Sequence, residues 1–271
     1  MCVGGGAEGI SMVTRYDQGI VGNAQELSDR RLELLEAAMD PHTIEVLDRR
    51  GIGADWRCLE LGAGRGSVAR WLAERCQNGQ VTATDLDPRL VDARDLPNLT
   101  VLRHDAAADE FDPASFDLIH CRAVLSHIAT REAVLAKAAT WLAPGGWLVA
   151  EEPLISPLGQ SANVAFQRLY DGIEQCLDAN QSTNMRWSRN LGRSIGDLGL
   201  TEIGLTVTCL PNGQGNPWDE MWRVTTAQIA PTAIEQGFLT EDEAAAGLAL
   251  FDDPSFIDVG FGFVSAWGRR P

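Results

Sequence analysis

The chain has 271 residues, 45% of them hydrophobic, with 22 Lys and Arg against 38 Asp and Glu and a net charge of −16. That length suits one large α/β domain or a core domain with a cap. So acidic a surface repels phosphate backbones, which disfavours nucleic acid and anionic membranes and leaves a small molecule as the expected partner. The cysteines, Cys2, Cys58, Cys76, Cys121, Cys176 and Cys209, are scattered with no C-x-x-C pair. This fits reduced thiols in a cytoplasmic protein rather than disulfides or a zinc site. The opening MCVGGGAEGISM lacks the apolar core of a secretion leader, and no apolar stretch approaches membrane-spanning length.

Residues 1 to about 22 are Gly-rich and weakly patterned, with Tyr16 as their one large ring. Leu27, Leu32, Leu34, Leu35 and Ala38 give 25–38 helical spacing, and Pro41 opens a second helix that ends near Gly51. Arg30 and Arg31 lie on the first of these. A strand over 56–61 then breaks into the turn Glu60-x-Gly62-x-Gly64-x-Gly66 and leaves as a helix over 66–76. Glycines at this spacing let the backbone take positive φ and let a ligand approach without a Cβ in the way. The spacing is not the dinucleotide pattern G-x-G-x-x-G, and no G-K-[ST] follows, so a P-loop is excluded.

Gln80–Asp85 is a second, β-branched strand that ends in a carboxylate. It stands about twenty residues past the glycine turn, where a Rossmann-like unit places an acidic group on a ribose. Asp85 is therefore the candidate ribose ligand, and Leu86 would lie against the neighbouring base. Asp87-Pro88 reads as a helix N-cap with proline at the first helical position. A third strand covers 99–103, followed by His104-Asp105-Ala106. Phe116–Cys121 is the fourth strand. A helix is expected to start over Arg122–Ile128 and to continue over 131–143. The run Leu142-Ala143-Pro144-Gly145-Gly146 then launches a fifth strand, Trp147–Glu152.

The acidic-x-G-x-G-x-G turn resembles motif I of the class I S-adenosylmethionine (SAM) methyltransferases. The fourth strand, its helix, the Leu-x-Pro-Gly-Gly turn and the fifth strand extend that resemblance over about 55–153. The resemblance implies Gly62, Ala63 and Gly64 packed on SAM, with Glu60 facing the methionine amino group. It also implies Asp105 on the adenine amino group, the Ala106 N–H on a ring nitrogen, and an N-terminal arm contact from Tyr16. Cys121, at the end of the fourth strand, joins this cofactor set. The general look is that of small-molecule enzymes of bacterial secondary metabolism.

After Pro153 the strand–helix alternation stops. Helices are expected over 160–180, 188–199, 217 to Pro231 and 241–250, with strands over 201–210 and 256–267. The expected fold is α/β and Rossmann-like: a mostly parallel seven-stranded sheet with an antiparallel last strand, plus a helical lid at about 154–200. Residues 1–50 would form an arm and helices over the cofactor, and 51–271 the methyltransferase domain. Phe166, Tyr170 and Trp187 are the candidate substrate-pocket rings.

Ligands of open α/β sheets bind at the carboxyl ends of the strands, which lines up Gly62, Asp85, Asp105, His120 and Glu151. His120 is the first candidate for a general base, and His127, two helical turns on, is the second. No metal-ligand spacing is visible. The expected activity is methyl transfer from SAM to O or N, or to C, of a small natural-product acceptor, by a monomer or homodimer. The alternatives are a SAM-binding cyclase or decarboxylase, separable by whether S-adenosylhomocysteine is released, and a non-catalytic subunit of the same fold. An NAD dehydrogenase would want G-x-G-x-x-G at the turn after the first strand and a Y-x-x-x-K pair; the turn at 62–66 lacks that spacing, and no Y-x-x-x-K occurs.

Overall fold

Short aliphatic runs buried on both faces make the centre of the sheet, and their alternation splits the core into layers. A computed structural model describes residues 28–93, 95–154, 161–181, 184–213 and 215–271. Strands β1 (Arg57–Leu61), β2 (Gln80–Asp85), β3 (Leu99–Arg103), β4 (Phe116–Arg122) and β5 (Leu142–Leu154) run parallel in the order β3-β2-β1-β4-β5. β7 (Asp258–Arg269) pairs antiparallel with both β5 and β6 (Thr201–Asn212), completing seven strands. This is the expected sheet, with the last strand inserted antiparallel between the fifth and sixth.

Along β1 and β4, Cys58 and Leu118 face one layer, while Leu59, Leu61, Ile119 and Cys121 face the other. The first layer is covered by α2 (Ser67–Arg75) and the end of α1 (Ser28–Asp48), through Leu72, Val68 and Leu47. The second is covered by α3 (Arg131–Trp141) and α5 (Leu191–Gly196), through Leu135, Trp141 and Ile195. A third cluster joins α4 (Val164–Gln181), α6 (Pro217–Glu235) and α7 (Glu241–Ala249) to α1 around Trp218, Trp222 and Phe263. The segment 154–200 is therefore divided. Its α4 joins that helical cover, whereas α5 packs on β6 and β7.

Four elements differ from expectation. Helix α1 runs unbroken through Pro41. An internal proline costs one backbone hydrogen bond, about 3 kcal/mol, but anchors on both sides of it hold the helix. Asp40 accepts from Arg122 Nη2 at 2.8 Å and from Ser67 Oγ at 3.1 Å, and Thr43 Oγ1 donates to Glu151 at 2.5 Å. Helix α6 likewise passes through Pro231 to Glu235. Arg122–Ile128 is not helical. β4 continues through Arg122, Ala123 takes φ 55°, and only a 3-10 turn forms at Leu125–His127. The cause is Glu152 of β5, whose carboxylate accepts the N–H groups of Val124 (3.0 Å), Leu125 (2.7 Å) and Ser126 (3.0 Å). The 88–90 turn is also 3-10, and the Asp87 carboxylate pairs with Arg89 instead of capping it.

Candidate active site

The turn after β1 is shaped by Gly62 (φ 68°), Gly64 (φ 57°) and Gly66 (φ 84°). Backbone and side chain then lock it to β2. The Ala63 N–H donates to the Thr84 carbonyl at 2.8 Å, and Thr84 Oγ1 donates to the Glu60 carbonyl at 3.0 Å. Asp85 accepts from the N–H of Gly64 and from that of Asp87, each at 3.0 Å. Burial pushes the Asp85 carboxyl upward, and these N–H bonds oppose the shift. One carboxylate thus sets the tip of β2 and the glycine turn together.

Both elements open on a cavity of about 800 Å³, which reaches Leu86, His104, Asp105, Ala106 and the 122–128 loop. Gly62 and Gly64 form part of its wall. A Cβ built on Gly62 would lie 2.3 Å from Val124 Cγ2. Gly62→Ala will accordingly displace Val124 and strain a positive φ, and we expect at least tenfold weaker nucleoside binding by calorimetry. Unchanged affinity with an unchanged melting temperature would show that the turn has no such role.

A second cavity, of about 520 Å³, adjoins the first. The two share Arg31, Leu35, Ala123 and His127 as lining residues. The second is otherwise mostly apolar, with Leu177, Met185, Met221, Trp222 and Phe263 around it. Burial, with Arg31 and Arg131 nearby, pulls His127 down to about 3, so its ring is neutral at physiological pH.

Of the sequence-derived cofactor set, Gly62, Gly64, Asp85, Leu86, Asp105 and Ala106 line the first cavity. Tyr16 lies outside the described residues. Glu60, Ala63 and Cys121 do not line it. Cys121 is buried in the α3-side layer, and Ala63 packs on the α2 side. Glu60 turns under α1, where its Oε2 meets His120 Nδ1 at 2.7 Å. His120 is completely buried, and its Nε2 lies 3.2 Å from Glu151 Oε2. With both ring nitrogens committed to carboxylates and no exposure, His120 is an interior ion rather than a base open to a substrate. Burial alone would lower its pKa, but Glu60 and Glu151 more than offset this and raise it to about 9. His127, on a 3-10 turn, does not continue a helical face from His120.

The three candidate pocket rings also belong elsewhere. Phe166 and Tyr170 are buried among aromatics of the helical cover, with Tyr170 Oη accepting from Asn212 Nδ2 at 2.6 Å. Trp187 donates from Nε1 to Glu132 at 2.8 Å. The residues that do line the second cavity include Met221, Trp222 and Thr225. The spacing of Trp218, Met221, Trp222, Thr225 and Ile229 was a visible signal of one buried face, though not of what it faces. His104, stacked on Phe111 at 4.7 Å, also lines the first cavity, and among the described residues neither of its ring nitrogens has a hydrogen-bond partner.

Comparison with known proteins agrees with this layout. Residues 59–148 match the model of a methyltransferase domain family. Methyltransferase str2 of Strobilurus tenacellus is 33% identical over 135 residues, which is 48% of this chain and 47% of that protein. The ubiquinone biosynthesis O-methyltransferase of Chromobacterium violaceum is 29% identical over 119 residues, covering 41% and 50%. The matched stretch thus spans about half the length of these relatives. Among solved structures, phosphoethanolamine N-methyltransferase 2 of Haemonchus contortus, with S-adenosylhomocysteine bound, superposes with TM-score 0.61 at 15% identity, covering 96% of this chain and 61% of that one. Geranyl diphosphate methyltransferase in complex with SAM gives 0.56 at 16%, covering 93% and 94%. The [4+2]-cyclase SpnF gives 0.52 at 17%, covering 86% and 81%.

Proposed function

We propose that this chain, which carries a methyltransferase domain on the class I fold, transfers the methyl group of SAM to an oxygen of a small-molecule acceptor. The observation that carries the reading is the pair of adjoining cavities with a common wall at Arg31, Leu35, Ala123 and His127. The first cavity has the features a nucleoside with an amino-acid tail requires. Gly62 and Gly64 bring bare backbone at positive φ to its wall, and Asp85 offers a carboxylate for two hydroxyls. Leu86, Asp105 and Ala106 would hold the base, and Gly62 and Gly64 the tail. The second cavity suits an apolar acceptor.

SAM, when bound, supplies an electrophilic methyl on a sulfonium whose departure leaves no anion. The protein's tasks are therefore alignment and exclusion of water. Arg31, a cation on the shared wall, favours an acceptor oxygen in its anionic form. His127, neutral beside it, adds no competing charge. Oxygen as the accepting atom is further supported by the likeness to the ubiquinone biosynthesis O-methyltransferase.

Release of S-adenosylhomocysteine separates methyl transfer from the cyclase alternative. Purified protein, methyl-labelled SAM and a set of phenols and alcohols should give labelled product and S-adenosylhomocysteine in equal amounts. Conversion of an acceptor without S-adenosylhomocysteine would refute methyl transfer. Absence of any SAM binding by calorimetry would refute the cofactor assignment itself.

A further inference from the structure

Strand β6 closes one side of the sheet, and among the described residues it pairs with β7 alone. Its other side offers backbone N–H and C=O groups to a further strand. Soluble proteins guard such an edge by keeping it short or by placing charges along it. β6 does neither. It is 12 residues long, and its only charged side chain is Glu202, at its start, which accepts from Arg269 at 2.8 Å. Ile203, Leu205, Val207, Cys209 and Pro211 alternate as exposed residues and make an apolar stripe on one face. Ile203, Leu205 and Val207 keep 46%, 49% and 43% of their surface exposed, although α5 packs beside them. Pairing with β7 is regular from Gly204 to Cys209, with register shifts on either side, so the even part of this edge is centred on Thr206 and Val207.

Charge and shape together say what can cover the edge. Each chain carries −16, so two copies repel wherever their acidic surfaces meet, and a basic partner is drawn to those surfaces rather than to an uncharged strip. From Ile203 to Asn212 β6 has no charge to repel a second copy. A strand that matches it in length and in apolar alternation is β6 itself. Two copies related by a two-fold axis perpendicular to the sheet run antiparallel and keep both stripes on one face. With Thr206 on that axis, Leu205 of one copy faces Val207 of the other, and the two Glu202–Arg269 pairs fall at opposite ends of the joint. We propose that the protein is a homodimer in which β6 pairs antiparallel with β6 of a second copy, joining the two sheets edge to edge. The cross-strand contacts of Leu205 and Val207 then hold the pair together. No residue of β6 lines either cavity, so this interface goes beyond the methyl-transfer reading and does not depend on it.

Sedimentation equilibrium of the full chain at micromolar concentration tests the proposal. The wild type should have twice the chain mass. Leu205→Lys sets an unpaired charge against Val207 at both contacts and should weaken association at least tenfold, with circular dichroism and S-adenosylhomocysteine binding unchanged. Val207→Glu should do the same. Mixing these two proteins places lysine opposite glutamate at one contact and leaves the other as Val207 against Leu205, and should restore a dimer containing one of each. Val164→Lys alters a valine that is 81% exposed on α4 and should leave the dimer intact. A monomeric wild type, a dimer that persists in both β6 variants, a mixture that stays monomeric, or a dimer broken equally by Val164→Lys would each overturn the proposal. Loss of S-adenosylhomocysteine binding in the wild type would count against the methyltransferase reading and not against this interface.

Discussion

Replacing Asp85 with alanine will weaken SAM binding by about a hundredfold or more. A hydrogen bond to a charged group contributes about 1.5–3 kcal/mol, two ribose hydroxyls are at stake, and each 1.4 kcal/mol is about tenfold in affinity. The same carboxylate accepts the Gly64 and Asp87 N–H groups. Its removal therefore also loosens the glycine turn, adding to the loss. Asp85→Asn keeps one acceptor oxygen and should fall between the two. Calorimetry at pH 7.5 measures the effect, and a melting curve separates loss of ligand from loss of fold. An affinity within threefold of wild type, on a protein that melts normally, would remove Asp85 from the cofactor site.

The second large effect concerns the buried ions under α1. Glu60, His120 and Glu151 form a chain in which His120 lies 2.7 Å from one carboxylate and 3.2 Å from the other. Glu151 also receives the hydroxyls of Thr43 and Ser265, each at 2.5 Å. Despite its burial, bonding to His120 holds the Glu151 carboxyl down at about 2. Removing one member of a buried pair strands the other, at about 3–5 kcal/mol. We expect His120→Ala to lose about that much in urea unfolding at pH 7. A loss below 1 kcal/mol would show that these carboxylates do not need the imidazolium.

The pH dependence has a definite sign. His120 is raised from 6.5 to about 9. Its contribution is complete below pH 6.5 and disappears as pH rises through about 9. Glu151 is lowered from 4.5 to about 2. Its contribution is complete above pH 4.5 and disappears as pH falls toward about 2. Both shifts describe the same contact, so they are not added. The wild-type melting temperature should decline between pH 6.5 and 9 in a way that His120→Ala does not reproduce.

Much of the scaffold was readable from residue order, because strand and helix periods and glycine turns are local signals. The strands came out within a few residues, apart from the early start of β5 at Leu142. What was not readable depended on distant partners. The 122–128 segment has acceptable helical residues, but Glu152, remote in sequence, supplies a better set of acceptors for its N–H groups. Glu60 was expected on the methionine amino group through the family resemblance, and His120 at the ligand edge because it stands near the end of the fourth strand. Strand alternation puts them on one face with Cys58 and Leu118, yet nothing local says that α1 covers that face. Gly62, Gly64, Asp85, Leu86, Asp105 and Ala106 were legible because strand ends, which the sequence marks, line the first cavity. The second cavity is made by α1, the 123–127 loop, the end of β5, α4, Met185, α6 and β7, whose meeting is tertiary. Rings such as Phe166 and Tyr170 look the same in sequence as Trp222 and Phe263.

The common wall of the two cavities has a practical corollary for inhibitor chemistry. Since Arg31, Leu35, Ala123 and His127 border both spaces, one covalently tethered molecule, a nucleoside joined to an apolar ring, would touch the same four residues from both ends. Such a bisubstrate compound should compete with either ligand alone. Enlarging Leu35 should blunt it against both at once.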